Sequence, residues 1–115
     1  MATIKPAAIA VNDDAVRITW TPVTENDTCG AYTGASHYDD RSIQVTGTFG
    51  GSTTALHGSN DGSNFSALSD AFGVSIGLSS AGIKQVMEYT YSFKPVPSGG
   101  TGQSLTMTVL AKKRR

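Results

Sequence analysis

Gly73-Val74-Ser75-Ile76-Gly77 matches G-x-S-x-G, the pattern that mounts a nucleophilic serine on a sharp strand-to-helix turn. The histidine that activates such a serine follows it in the chain. Here both histidines, His37 and His57, precede Ser75, and alternating strand-like sequence follows it. An ordinary strand with Ser75 pointing outward is the expectation. The Gly-rich runs "GTFGGST" and "SGGTGQS" lack the lysine of a phosphate loop and open no helix. Cys29, His37, Asp39 and Asp40 lie close in sequence without CxxC or HxxxH spacing, so zinc is not expected. Calcium accepts loop oxygens, and Asn60, Asp61 and Asn64 offer some. One carboxylate in twelve residues makes a poor calcium site, and Asn-Asp-Gly between two hydrophobic runs is a strong hairpin signal. The stretch His57–Leu68 therefore reads as a hairpin tip, with Asp61 a minor calcium candidate. No catalytic residue, cofactor or metal is expected, and the chain is not read as an enzyme.

The elements that would position these groups repeat with a period of two. Val16, Ile18 and Trp20 alternate with Arg17, Thr19 and Thr21; Ile43 and Val45 alternate with Ser42, Gln44 and Thr46. Leu105, Met107 and Val109 alternate with Thr106 and Thr108. Met87, Tyr89, Tyr91 and Phe93 show the same spacing, and Val74, Ile76 and Leu78 repeat it more weakly. Each run presents one apolar face to a core and one Thr-rich face to water, as antiparallel sheets do. Gly50-Gly51, Asp61-Gly62, Ala81-Gly82 and "VPSGGTG" punctuate the runs with turn chemistry. The only helical signal is a weak turn near Ser66–Ala71. The expectation is all-β: an antiparallel β-sandwich, jelly-roll-like, of about seven or eight short strands, with a small closed barrel as runner-up. Residues 1–15 read as an arm or edge segment. Residues 16–111 read as the sandwich, with a long connection over 23–40, and residues 112–115 as a basic tail.

A chain of 115 residues suits one domain with one modest core. It has no apolar run long enough to span a bilayer, and its N-terminus lacks the apolar core of a secretory signal. Cys29 is the single cysteine and cannot pair internally. The N-x-[ST] triplets at Asn26 and Asn64 read as chance matches without that signal. Net charge is zero but uneven: residues 1–40 hold six acids against two bases, and Lys112, Lys113, Arg114 and Arg115 close the chain. Four terminal charges without a basic stripe do not make a nucleic-acid interface. Most aromatics fall on the apolar side of an alternation and read as core. Tyr32 and Tyr38, in the long connection, read as the exposed ones. With Lys112, Lys113, Arg114 and Arg115 they are the candidate partner contacts.

Three ordered blocks carry a resemblance: "VTGTFGGSTTALHGSNDGSNFSALSD" (residues 45–70), "SSAGIKQVMEY" (79–89) and "KPVPSGGTGQSLTMTVLAKKRR" (94–115). Together they resemble small virion proteins of tailed bacteriophages. Phe65 stands where that group usually has Trp, "YSFKP" replaces a commoner Arg-Pro ending, and the first 40 residues match nothing comparable. The resemblance implies a head decoration (cement) protein made in the host bacterial cytoplasm and placed on the capsid exterior. It further implies binding to the major capsid protein as a homotrimer, with no nucleic acid or membrane as partner. The competing expectations are a carbohydrate-binding sandwich on a tail or fibre, and a head–tail joining or tail completion protein.

Overall fold

The computed structural model describes residues 2–34 and 38–113. Eleven strands lie among them: β1 (Thr3–Ile4), β2 (Ala7–Asn12), β3 (Ala15–Thr24), β4 (Thr28–Cys29), β5 (Tyr32–Thr33), β6 (Asp40–Thr48), β7 (Thr53–Ser59), β8 (Ser66–Ala67), β9 (Gly82–Val86), β10 (Ser92–Ser98) and β11 (Ser104–Lys112). Seven of them have five residues or more. The remaining four are two-residue pairings, too short to show any period.

The strands form a five-stranded sheet, β2-β3-β11-β6-β9, and a four-stranded sheet, β5-β10-β7-β8. A short parallel pair, β1-β4, lies beside them. From β3 onward the chain passes between the sheets at nearly every connection. This winding, with β3-β11-β6-β9 facing β5-β10-β7-β8, is that of a jelly roll, and β2 extends it at one edge. The architecture is therefore the all-β sandwich expected from alternation.

β11 is the central strand that sets the register. Its Val109 lies opposite Ile18 on one side and Ile43 on the other, and its Met107 lies opposite Trp20 and Val45. Because side chains alternate faces with period two, these partners all point inward together. They meet Leu56 of β7 and Phe93 of β10 in one buried cluster. Trp20 and Phe93 meet edge to face across the sandwich, with ring centroids 6.3 Å apart. Each such fully buried side chain contributes about 1.5–3 kcal/mol relative to exposure.

Three sequence expectations need correction. Met87–Phe93 is not one strand: β9 belongs to the five-stranded sheet and β10 to the four-stranded one, so residues 87–91 must cross between them. Val74–Leu78 is a loop that touches β7 through an isolated bridge at Leu78 and the segment after β8 through one from Ser75 to Ser69, with Ile76 and Leu78 turned into the core. The segment near Ser66–Ala71 is β8 followed by a turn, with no helix.

Candidate interaction surface

The hairpin tip is organised by Asp61. Strand β7 pairs with β8 through His57↔Ala67 and Gly58↔Ser66, and the loop between them closes on the Asp61 carboxylate. Its Oδ1 accepts from the Ser59 hydroxyl and from the Ser63 and Asn64 amides, each at 2.8 Å. Its Oδ2 accepts from the Asn64 side-chain amide at 2.9 Å. These bonds, those from Asn64 foremost, hold the carboxyl far below its ordinary range. Asp61 is thus an internal clamp on a six-residue loop. Among the described residues, no three His, Cys, Asp or Glu side chains gather as a metal site would require.

The aromatic contacts expected from the long connection are displaced from their expected exposure. Tyr32 and Tyr38 are half-buried and pack against the core. Tyr32 lies 5.8 Å from the Phe93 ring, centroid to centroid. The physical reason is that the connection is strapped to the sandwich at Gly30. The Trp20 indole N–H donates to the Gly30 carbonyl at 2.8 Å, and the Gly30 amide donates to the Ile4 carbonyl. Lys112 and Lys113 are exposed, but they end β11 beside the acids of the first 40 residues. Lys112 lies opposite Asp40, and the Lys113 amide donates to the Asp14 carbonyl. The Lys113 ammonium sits 5.8 Å from the Tyr38 ring centroid. Opposite charges that lie far apart in sequence thus meet at one end of the five-stranded sheet. Arg114, Arg115 and His37 lie outside the described residues.

Tyr89 and Tyr91, which alternation placed on an apolar face, are exposed, and so is Phe72. Phe72 is 91% exposed, and Tyr89 and Tyr91 are about half exposed. Phe72 is held out by a tight turn: the Gly73 amide donates to the Asp70 carbonyl at 3.0 Å. The Asp70 carboxylate accepts from the Phe72 and Val74 amides, and Lys84 approaches it to 3.6 Å. Hydrogen bonding from Phe72, ahead of Val74 and the Lys84 charge, holds this carboxyl below its ordinary range. Phe72 and Ile83 line one open groove. Val74 on the same loop and Met87 just past β9 add two further exposed apolar side chains. A sequence signal for this turn exists, since Asp at the first position and Gly at the fourth favour a type I turn. It was hidden by the apolar spacing of Val74, Ile76 and Leu78 just after it.

Tyr89 is positioned by Arg41, a 2% exposed cation on β6. The guanidinium donates to the Tyr38 and Thr90 carbonyls, at 2.9 and 2.8 Å. It lies 4.6 Å from the Tyr89 ring centroid and 4.8 Å from that of Phe93. Burial pulls its pKa down, and Arg retains its charge even so. A polar groove beside Tyr89 is lined by Asn60, Asn64 and Glu88. These groups already serve the protein's own backbone and side chains. Asn60 accepts from the Tyr91 amide, Asn64 donates to Asp61, and Glu88 accepts from the Ser69 amide at 2.6 Å.

No family model matches the chain, and no curated protein does. Similar solved structures include two that cover nearly the whole chain. The SPBc2 prophage-derived protein YomS aligns over 90% of this chain and 100% of its own, with a TM-score of 0.60 at 8% identity. Protein NMB1881 from Neisseria meningitidis aligns over 94% of this chain and 82% of its own, with a TM-score of 0.40 at 10% identity. At 8% identity, the likeness to the first is one of fold.

Proposed function

We propose that this chain is a non-catalytic structural component of a bacteriophage particle, a decoration protein that docks on the major capsid protein from outside the head. The observation that carries the binding role is the Phe72 turn. Four apolar side chains, Phe72, Val74, Ile83 and Met87, stand exposed on two adjoining segments, and Asp70 and Lys84 hold the largest of them in place. Rigidly presented aromatic and apolar groups are the usual anchors of protein interfaces, because little conformational freedom is lost on binding. The phage assignment is supported by the three sequence blocks and by a neighbour of prophage origin with the same fold. Attachment through an apolar anchor is favoured over attachment through the tail, whose first two lysines lie among the protein's own acids.

The test is to add purified protein to heads that lack it and measure occupancy over the shell. Many copies distributed over the head are expected, with strongly reduced occupancy for Phe72→Ala. Absence from the shell, or a few copies at a single vertex, would overturn the reading.

A further inference from the structure

We propose that the β2 edge is a self-association surface, where two copies join antiparallel into one continuous ten-stranded sheet. β2 is the outermost strand of the five-stranded sheet, and every residue from Ala7 to Asn12 is exposed. Ile9 is 55% and Val11 50% exposed. An open strand edge is a template for pairing, and proteins commonly block it with proline, charge or brevity. The other edges carry such blocks. Pro95 and Pro97 interrupt β10 beyond its short pairing with β5, β8 has two residues, and β9 carries Lys84. The middle of β2, Ala7-Ala8-Ile9-Ala10, carries none.

The direction of its free groups follows from the register. The Lys113 amide donates to the Asp14 carbonyl, a pair that continues the β3–β11 ladder past Ala15↔Lys112. Opposed residues in an antiparallel ladder alternate between bonded and non-bonded pairs. Val16 and Ile18 therefore bond toward β11, and Arg17 and Thr19 toward β2. Their β2 partners, Ile9 and Ala7, bond inward, which leaves the N–H and C=O groups of Ala8 and Ala10 directed outward.

A second copy fits these groups when a two-fold axis passes beside Ile9. Ala8 of each copy then exchanges hydrogen bonds with Ala10 of the other, and the two Ile9 side chains meet in a non-bonded pair, where side chains approach most closely. Past Ala10 the strand bulges and Asp13 stands in the turn that follows, so this arrangement sets exposed Lys5 of each copy toward the exposed Asp13 turn of the other, outside the ladder itself. Parallel pairing would instead set Lys5 beside Lys5 and Asp13 beside Asp13. The charge pattern thus selects an antiparallel copy of this same chain, through a self-complementary contact. This two-fold contact differs from the three-fold ring that the sequence resemblance implies.

The test uses the purified full chain alone, so its outcome is independent of capsid binding. Analytical ultracentrifugation should show a concentration-dependent dimer. Ile9→Lys places two like charges on the axis and should weaken it by about tenfold or more, while the exposed position leaves the monomer folded. Lys5→Asp and Asp13→Lys should each weaken the dimer, and the double exchange should restore it. Amides of Ala8 and Ala10 should exchange slowly in the dimer and quickly in Ile9→Lys. A monomer at all concentrations, a trimer untouched by Ile9→Lys, or a double exchange without rescue would overturn the proposal. Pairing of β2 with a foreign strand would show as slow exchange only in the presence of heads, which would likewise overturn it.

Discussion

At the scale of single residues, polar side chains hold this protein's loops in place. Arg41 ties the crossing at residues 87–91 to β6 by donating to the Thr90 carbonyl and lying over the Tyr89 ring, and it also donates to the Tyr38 carbonyl and lies over Phe93. Arg41→Ala should lower unfolding free energy by about 2–4 kcal/mol, read by urea denaturation, because it strands buried carbonyls and opens space between the sheets. Arg41→Lys should recover little, since an ammonium cannot reproduce the planar fork. The carboxylates Asp27, Asp61, Asp70 and Glu88 are all held below their ordinary values of 3.8 (Asp) and 4.5 (Glu), chiefly by hydrogen bonds from nearby amides and hydroxyls. A carboxyl whose folded pKa is depressed stabilises the fold above its unfolded pKa and loses that effect as pH falls. Melting temperature should therefore be flat through the neutral range and fall progressively once pH drops below about 4.5. His57, pulled below its ordinary 6.5 by burial and by Lys94 opposite it, adds a smaller loss in the same direction, beginning below pH 6.5. Asp61→Asn should flatten the acid limb of a melting profile.

At the scale of elements, turns decide what is presented and what is hidden. Gly47 ends the regular part of β6 with φ of 114°, and an added Cβ would run into the Ser104 carbonyl of β11. Gly62, also at positive φ, faces open space. Gly47→Ala should therefore cost about 2–3 kcal/mol by thermal or chemical denaturation, and Gly62→Ala clearly less, about 1 kcal/mol. Phe72→Ala should leave stability within about 0.5 kcal/mol, because the side chain is almost wholly in water. Loss of capsid occupancy in a variant of unchanged stability would locate the contact at the turn. The Asp70 turn was partly legible in "DAFG", yet the period-two spacing of Val74, Ile76 and Leu78 just after it argued for a strand. The competing reading failed because these residues connect the two sheets and join no continuous ladder.

At the scale of the whole molecule, the sandwich seals its single thiol. Cys29 is buried beside Met107, and burial, with the Asp27 charge as a lesser cause, pushes its pKa up to about 12. Ellman's reagent at neutral pH should leave Cys29 unmodified in the native protein and titrate it fully in denaturant. A raised thiol pKa stabilises the fold below the unfolded value of 9.0 and loses that contribution as pH climbs toward 12. The fold also rearranges charge. Lys112 lies opposite Asp40 and the Lys113 amide donates to the Asp14 carbonyl, so a chain that reads as acidic at one end and basic at the other brings the two together at one end of the five-stranded sheet. If docking rests on Phe72, a rise in ionic strength should reduce capsid occupancy less than Phe72→Ala does.

Strands β3, β6 and β11, the inward set Ile18, Trp20, Ile43, Val45, Met107 and Val109, and the hairpin at Asp61 were determined by sequence alone. Alternation and turn chemistry are local properties, and each of these features lies within one stretch of chain. Which sheet each strand joins was not local. That pairing alone decided that residues 87–91 would cross between sheets and leave Tyr89 and Tyr91 in water. It also drew Tyr32 and Tyr38 against the core and left β2 as an open edge. A period of two says that a residue has an inner face available, and only the partner strand decides whether anything lies on that face.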